Sequence, residues 1–450
     1  MSAPETGEVQ RATTAPATGL KVRFPADVAV VGLGYVGLPT ASALAGGGSD
    51  GHGLGDTGRD VVGVDICPER LQAIRLGELD LLDGERAGVQ RALFDGRLVL
   101  TGDVAAVAEA EAVIVCVPTP VDGHLTPDLA AITAACDAVV RHARVGQTLI
   151  LTSTSYVGST RDLLVGPLAA RGREAGRDVH VAFSPERIDP GNAEHPQDTV
   201  PRVVGGATPA CAAAAERIIG SVAPSVCVVD DLETAELTKL FENSFRAVNI
   251  ALANELASVC SPFGIDVNSV LGAAATKPFG FMRFNPGPGV GGHCIPCDPH
   301  YLLWQLRRSR AQAPVIEQAM RSIVERPLQV ADVVRSELHR MGVPADRAQV
   351  HVLGVAYKPG VEDARESPAL DILAELLADG VDVSYDDPHV PALTLRSSEV
   401  IKAAPTPLGE PDVVLMHTWH PEYNELDLTQ VGLLVDASYR APIRNGVVRP

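Results

Sequence analysis

The chain has 450 residues, 46% of them hydrophobic and only 4% aromatic, with a formal net charge of −19. That length divides into two or three domains built on Ala, Val and Leu, and that charge argues against a nucleic-acid or anionic-membrane binder, so an anionic ligand needs a local cluster of Lys and Arg. The eight cysteines are scattered, the first 20 residues carry no apolar leader stretch, and no apolar run reaches about 18 residues, so a reduced, cytoplasmic protein without a transmembrane helix is expected.

Residues 1–26 are small, polar and Pro-containing and predict a disordered tail. A strand over 27–31 follows, then a helix rich in small residues, then the Gly- and Asp-rich stretch 46–60, which predicts a loop. A second strand over 61–64 ends at Asp65. Buried-strand patterns recur over 98–100, 112–117, 148–151 and 179–183. Strands alternating with helix-like segments predict an α/β fold with a doubly wound parallel sheet. From Leu232 the pattern changes: Leu237, Leu240, Phe241, Phe245, Val248, Leu252 and Leu256 keep helical spacing for roughly seven turns, or about 40 Å. A helix of that length bridges domains or packs against a second copy. Strand patterns return over 350–355, 381–385, 413–416 and 433–435, around a helix over 368–378. The expected architecture is two α/β halves, 27–225 and 331–450, around a helical spine over 226–330.

Gly32-Leu33-Gly34-Tyr35-Val36-Gly37 fits G-x-G-x-x-G between a strand and a helix. The first glycine permits the tight turn, the second lets backbone approach a pyrophosphate, and the third lets helix pack on strand. The helix start offers N–H groups to that anion. Alone the motif is also that of a plain Gly-rich turn, but Asp65 stands at the end of the next strand, where a carboxylate binds a ribose 2′-OH and repels a 2′-phosphate, favouring NAD. The gap to Asp65 exceeds the usual spacing of about 20 residues, and the 46–60 loop accounts for the excess. Arg70 either stacks on adenine or is solvated. Thr119 and Thr154 follow strands that end at the ligand crevice; they line a cofactor or cap local backbone.

On the long helix Lys239, Asn243 and Arg246 share one polar stripe, nearly opposite Leu237, Phe241, Val248 and Leu256. Either the stripe is a solvated face, or Lys and Asn hold an alcohol or water beside a nicotinamide while Arg246 meets an anion; Asn is a poor mid-helix residue and needs a reason. The stretch FGFMRFNPGPGVGGHCIPCDPHY, 279–301, puts Gly287, Gly289, Gly291 and Gly292 where backbone approaches something closely, then Cys294, a thiol at a helix start whose pKa can be lowered. Asp298 lies one turn on. His293, Cys294, Cys297 and His300 resemble a zinc cluster, but all four fall within eight residues, whereas structural zinc draws ligand pairs from separate knuckles. No metal is expected, and Cys297 reads as a small buried hydrophobe. In SPERIDPG, 184–191, Glu186 is a candidate base for water and Arg187 a candidate anion contact, or the segment is a turn with a surface ion pair. In the second α/β half, Lys358 and Arg365 supply cations for phosphates.

Taken together, GLGYVGLP, VPTP, SPERIDPG, ELTKLFENSFRAVNIALANELA, PGPGVGGHCIPCDPHYL and GVAYKPGVEDARESPALDIL resemble the UDP-glucose/GDP-mannose dehydrogenase family in order and spacing. PGPG followed by GGHCIPxDP is most similar to the UDP-N-acetylhexosamine 6-dehydrogenases; UDP-glucose enzymes typically carry GGSC with Lys where Cys297 stands. The resemblance implies two Rossmann-like domains joined by a long helix that forms a homodimer, NAD as cofactor and a UDP-sugar as substrate. It implies four-electron oxidation at C6 through a thiohemiacetal and a thioester on Cys294. Lys239 and Asn243 would bind the reacting oxygens, Asp298 and Glu186 would assist proton transfer, and Thr154 would position a water. Gly32, Gly34, Tyr35, Val36, Gly37, Asp65, Arg70, Thr119 and Thr154 would hold NAD, and Arg365 would reach the cofactor of a neighbouring subunit. Arg187, Ile188, Arg246, Arg283, Gly289 and Lys358 would contact the substrate. Three departures stand out: STVxPGT reads STSYVGST over 153–160, the DTRN-like end reads Asp436-Ala437-Ser438-Tyr439, and the second Glu of Glu-x-x-x-Glu is Pro190.

Other expectations compete. A UDP-glucose 6-dehydrogenase shares the chemistry. A two-electron β-hydroxyacid dehydrogenase also pairs Lys with Asn on a helix but lacks the Cys294 segment and the third domain. A non-enzymatic NAD-binding scaffold would not need Lys239, Asn243 and Cys294 together.

Overall fold

The computed structural model describes residues 25–46, 58–79, 81, 83–187, 199–292, 294–404 and 407–450. The expected tail up to residue 24, most of the 46–60 loop, and Ile188, Asp189, Pro190, Gly191 and His293 lie outside the described residues.

The first sheet contains β1 (Ala26–Val31), β2 (Val61–Val64), β3 (Leu98–Thr101), β4 (Ala110–Val115), β5 (Thr148–Leu151), β6 (His180–Phe183), β7 (Arg202–Gly206) and β8 (Val226–Val229). Their order is β3-β2-β1-β4-β5-β6-β7-β8, with β6 and β7 antiparallel and the other neighbours parallel. The first six reproduce the 3-2-1-4-5-6 order of the doubly wound dinucleotide fold, whose ligand crevice opens where the order reverses, here between β1 and β4. Those two strands are near-continuous apolar runs because both faces are covered: Val28, Val30, Ala112 and Ile114 face one core, Ala29, Val113 and Val115 the other. The covering helices are α1 (Gly37–Leu44), α2 (Pro68–Leu76), α3 (Asp83–Phe94), α4 (Ala130–His142), α5 (Gly166–Ala170) and α6 (Pro209–Ile219).

The middle of the chain is helical: α7 (Leu232–Cys260), α8 (Val267–Ala274), α9 (Asp298–Ser309) and α10 (Pro314–Met341). The last part holds β9 (Gln349–Leu353), α11 (Pro368–Ala378), β10 (Asp382–Asp386), a hairpin of β11 (Ala392–Thr394) and β12 (Val400–Lys402), then β13 (Val413–Met416), β14 (Leu434–Asp436) and β15 (Val447–Val448). Its parallel sheet runs β10-β9-β13-β14-β15. The protein is thus α/β with two parallel sheets, as expected. The boundary expected at 330 falls inside α10. The first half of that helix packs Ala319, Met320 and Ile323 against Ala247, Ala251 and Leu303. Its second half puts Val330, Ala331, Val334 and Leu338 into the core of the second sheet.

Helix α7 is capped by Asp231, whose side chain accepts from the Thr234 N–H. Its orientation overturns the solvated-face reading for Lys239 and Asn243, though not for Arg246, which is exposed. Phe241 is 61% exposed and Leu237, Phe245, Leu252 and Val259 also face outward, whereas Lys239 is 8% exposed and Glu236, Asn243 and Asn254 are buried. Burying charge and amide groups instead of phenylalanine is unfavourable unless each finds a partner. Glu236 finds four: its carboxylate accepts from Gly158 N at 2.5 Å, Ser159 Oγ at 3.0 Å, Thr160 N at 2.8 Å and Thr160 Oγ1 at 2.7 Å. The STSYVGST segment after β5 is therefore clasped to α7. Gln305 of α9 clasps the same segment, accepting from Val157 N at 2.9 Å and donating to Val157 O at 2.7 Å. No helix among the described residues is long and apolar enough to cross a membrane.

Candidate active site

The glycine loop has the geometry a dinucleotide needs. Gly32 adopts φ +90°, and a Cβ there would stand 2.5 Å from the Cys116 carbonyl oxygen. One on Gly37 would stand 1.8 Å from the Gly32 carbonyl oxygen, while one on Gly34 would meet nothing within 4 Å. The first and third glycines are thus demanded by packing, and the second leaves an open face. Asp65 accepts from Leu33 N at 2.8 Å and from Cys67 N at 2.9 Å, which brings the acidic end of β2 onto the loop. Arg70 is neither solvated nor unsupported: its Nε donates to Leu33 O at 2.9 Å. Val36, Thr119 and Thr154 are half-buried at the crevice edge. Ser153 does the local capping, its hydroxyl bonded to both N and O of Val117, so Thr154 is not the cap.

On α7, Lys239 and Asn243 are buried. Asn243 Nδ2 donates to Asp298 Oδ2 at 2.5 Å, and Asp298 N donates to Cys294 O at 2.8 Å. The thiol residue is exposed and sits one turn before α9, where the helix start favours an anion. Cys297 is buried, its thiol pushed up to about 12 by burial, in keeping with a packing role.

The glycines before Cys294 approach the chain's own C-terminal part. Cβ atoms on Gly289 and Gly291 would stand 2.8 Å from Pro368 and 2.7 Å from Tyr357, and Gly292 faces the Tyr357 ring. The glycine at 289 is therefore required by packing. Arg365 is held within its own chain. Its guanidinium lies 4.4 Å over the Tyr35 ring of the same chain's glycine loop and forks onto Asp363 at 2.9 and 2.7 Å. Lys358 is half-buried on the same 354–368 loop. That loop is held from beneath by Asp387, which accepts from Val355 N, Ala356 N and His420 Nε2.

Two ion pairs bring in residues that the sequence did not single out, Arg202 and Glu242. Glu186 is 7% exposed and ion-paired at 2.5 Å with Arg202 of β7, itself 3% exposed. Arg187 is paired with Glu242, next to Asn243. The reading of SPERIDPG as a surface ion pair is thus wrong for Glu186, whose pair is buried. β7 was not legible as a strand, so Arg202 carried no signal; Glu242 lay unmarked beside a marked residue. Arg246 and Arg283 are exposed, and Arg283 contacts Asn285 at 3.0 Å.

Three domain models of the UDP-glucose/GDP-mannose dehydrogenase family match the chain: the NAD binding domain over residues 26–222, the central domain over 233–322 and the UDP binding domain over 351–448. The chain belongs to the UDP-glucose/GDP-mannose dehydrogenase family. Among its relatives, the UDP-N-acetyl-D-mannosamine dehydrogenase of Escherichia coli (strain K12) is 35% identical over 78% of this chain and 83% of its own length. The NDP-N-acetyl-D-galactosaminuronic acid dehydrogenase of Ralstonia nicotianae is 34% identical over 89% and 92%. The solved structure of UDP-D-ManNAc dehydrogenase from Pyrococcus horikoshii superposes with a TM-score of 0.83 at 30% identity, covering 94% of this chain and 98% of that one. As a member of this family the protein is an NAD-dependent nucleotide-sugar dehydrogenase, and the glycine loop with Asp65 is the place in it that fits NAD.

Within that enzyme the most perturbed acid of the constellation is Asp298. Burial raises its pKa to about 6, opposed by the charge of Lys239 and the hydrogen bond from Asn243. The folded protein therefore holds this proton at pH values where the unfolded chain has released it, and the associated stability is lost as pH rises from about 4 to about 6. Denaturant titrations across that range are expected to show stability falling by roughly 2–3 kcal/mol more in the native protein than in Asp298→Asn, with no further difference in slope above about pH 7; parallel curves contradict the assignment.

Proposed function

We propose that this chain oxidises the C6 alcohol of a UDP-N-acetylhexosamine to the uronate in two successive steps, with Cys294 as nucleophile. The observation that carries the reading is an exposed thiol whose backbone is bonded to Asp298, which in turn is bonded to Asn243 on the buried polar face of α7. NAD at the glycine loop supplies the hydride acceptor for each oxidation. The alcohol gives up a hydride and a proton and becomes an aldehyde. The Cys294 thiolate adds to that carbonyl, forming a thiohemiacetal. Loss of a second hydride and proton leaves a thioester, and water cleaves it to the carboxylate and the free thiol. Covalent capture divides a difficult oxidation and retains a reactive aldehyde.

The chain's own groups have distinct tasks in this reading. Lys239 and Asn243 hold the oxygen on which charge develops, in a site where burial strengthens such contacts. Asp298, with its pKa near 6, suits proton exchange near neutral pH, so we assign water activation to it. Glu186 is engaged by Arg202 and holds the segment that carries Arg187; Thr154 places the water. Lys358, Arg187 and Arg246, with Ile188, Arg283 and Gly289, frame the nucleotide sugar. The N-acetylhexosamine is supported by the relatives named above, by GGHC where UDP-glucose enzymes carry GGSC, and by Cys297 where they carry Lys. We also propose a homodimer in which a second copy covers the outward face of α7, where Leu237, Phe241, Phe245 and Leu252 are exposed at helical spacing.

With limiting UDP-sugar, about two NADH are expected per sugar consumed, and UDP-N-acetylmannosamine or UDP-N-acetylglucosamine should outpace UDP-glucose; Cys294→Ala should lose at least about 10³-fold in kcat while still binding NAD. One NADH per sugar, or turnover in Cys294→Ala, overturns the covalent reading. Light scattering should give a dimer that Phe241→Glu dissociates; a monomeric native protein rejects the dimer.

A further inference from the structure

Two adjacent residues of α10 depart from what a stable helix prefers. Pro327 stands inside it, where proline removes a backbone hydrogen bond and crowds the preceding turn. Arg326 is 2% exposed and heads the fully buried side chains by size. No Asp or Glu among the described residues forms an ion pair with it. Its Nε donates to Gly287 O at 3.0 Å, Nη1 to Gln329 Oε1 at 3.3 Å, and Nη2 to Tyr439 OH at 2.8 Å and Pro450 O at 3.0 Å. A buried guanidinium is tolerated only where its donors are met, and here they are met by Gly287, by Gln329 and by the 439–450 segment. A third departure joins these two: Tyr439 holds a left-handed backbone, φ +59°, uncommon for an aromatic side chain.

All three converge on the segment that leads to Cys294. Gly287 is gripped at both ends of its backbone, its N–H donating to Asn254 Oδ1 of α7 at 2.9 Å and its carbonyl accepting from Arg326. The Pro327 ring lies 3.2 Å from where a Gly289 Cβ would stand. Beyond it, Gly292 N donates to Arg365 O at 3.4 Å, and Cys294 follows two residues later. This is also the point at which α10 passes from the core around α7 and α9 to that of the second sheet.

We propose that Arg326, with Asn254 and Tyr439, is a positioning residue for the nucleophile. It fixes the 287–292 strap between α7 and the C-terminal sheet, and so sets where the Cys294 thiol stands relative to Lys239 and Asn243. The proposal rests on the reading of Cys294 as nucleophile. A merely structural Arg326 behaves differently under substitution, because replacing a buried charge by a well-fitting apolar side chain is often neutral or stabilising.

The test uses the full-length enzyme as Arg326→Met, Arg326→Lys and Tyr439→Phe. Melting temperature, kcat, KM for NAD and the iodoacetamide alkylation rate of the Cys294 peptide, resolved by mass spectrometry from exposed Cys67 and Cys227, are measured together. In Arg326→Met the alkylation rate is expected to change at least about fivefold and kcat to fall about tenfold, with KM for NAD held within about twofold and melting unchanged; Arg326→Lys recovers part of kcat. A folded Arg326→Met with native kcat and alkylation rate overturns the proposal, as does a loss of kcat that only follows loss of folded protein. If Arg326→Met does not fold, Tyr439→Phe, which deletes one hydroxyl, is judged by the same readouts. Cys294→Ala alongside separates the two ideas: turnover in that variant sinks the nucleophile assignment, whereas an inactive Cys294→Ala beside a native-like Arg326→Met sinks only the positioning role.

Discussion

The hydrogen bond from Asn243 to Asp298 joins the middle of α7 to the first residue of α9, and the rest of the site is arranged around it. It requires α7 to turn an amide and an ammonium inward and its phenylalanines outward. That inversion is tolerated because the inward carboxylate and amides are met, Glu236 by the 158–160 turn, Asn243 by Asp298 and Asn254 by Gly287, and the Lys239 charge acts on Asp298. Because Asp298 N also donates to Cys294 O, the same linkage fixes the backbone of the thiol residue. One pair of side chains thus connects the helix that bears Lys239 to the turn that bears Cys294.

The site is a junction of all three parts of the chain. The first sheet supplies the glycine loop and Asp65, the helical part supplies Lys239, Asn243 and Cys294, and the C-terminal part supplies the loop on which the glycines before Cys294 rest. Arg365 closes the circuit by covering Tyr35. Such a junction explains why so many charges and amides are buried in a chain with net charge −19. Lys239 is buried at this junction, where its contacts are stronger than at the surface.

Much of this was legible because local rules and the fold agree. The glycine loop, the strand ending at Asp65, the helix over 368–378 and the strand over 413–416 carry unambiguous patterns. Legibility failed where tertiary partners override local pattern. The polar stripe of α7 has the same periodicity whether it faces solvent or a site, and only the partners decide. Helix α10 carries Pro327 in its interior, where proline ordinarily breaks a helical pattern. β7, RVVGG, opens on a charge and ends on two glycines, so Arg202 and its buried pairing with Glu186 had no local signature. Of the glycines before Cys294, Gly289, Gly291 and Gly292 closely approach the chain's own 357–368 loop, a target the sequence did not name, whereas a Cβ on Gly287 would meet nothing within 4 Å.

The central claim is that the sulfur of Cys294 bonds to the carbon being oxidised, and it is open to direct observation. The enzyme, mixed with UDP-N-acetylmannosamine and NAD and quenched in acid during turnover, is digested and its cysteine peptides weighed. The account predicts that the Cys294 peptide alone gains the mass of the sugar nucleotide bound as a thioester. Unmodified Cys294 throughout turnover, or an adduct on a different cysteine, would contradict it.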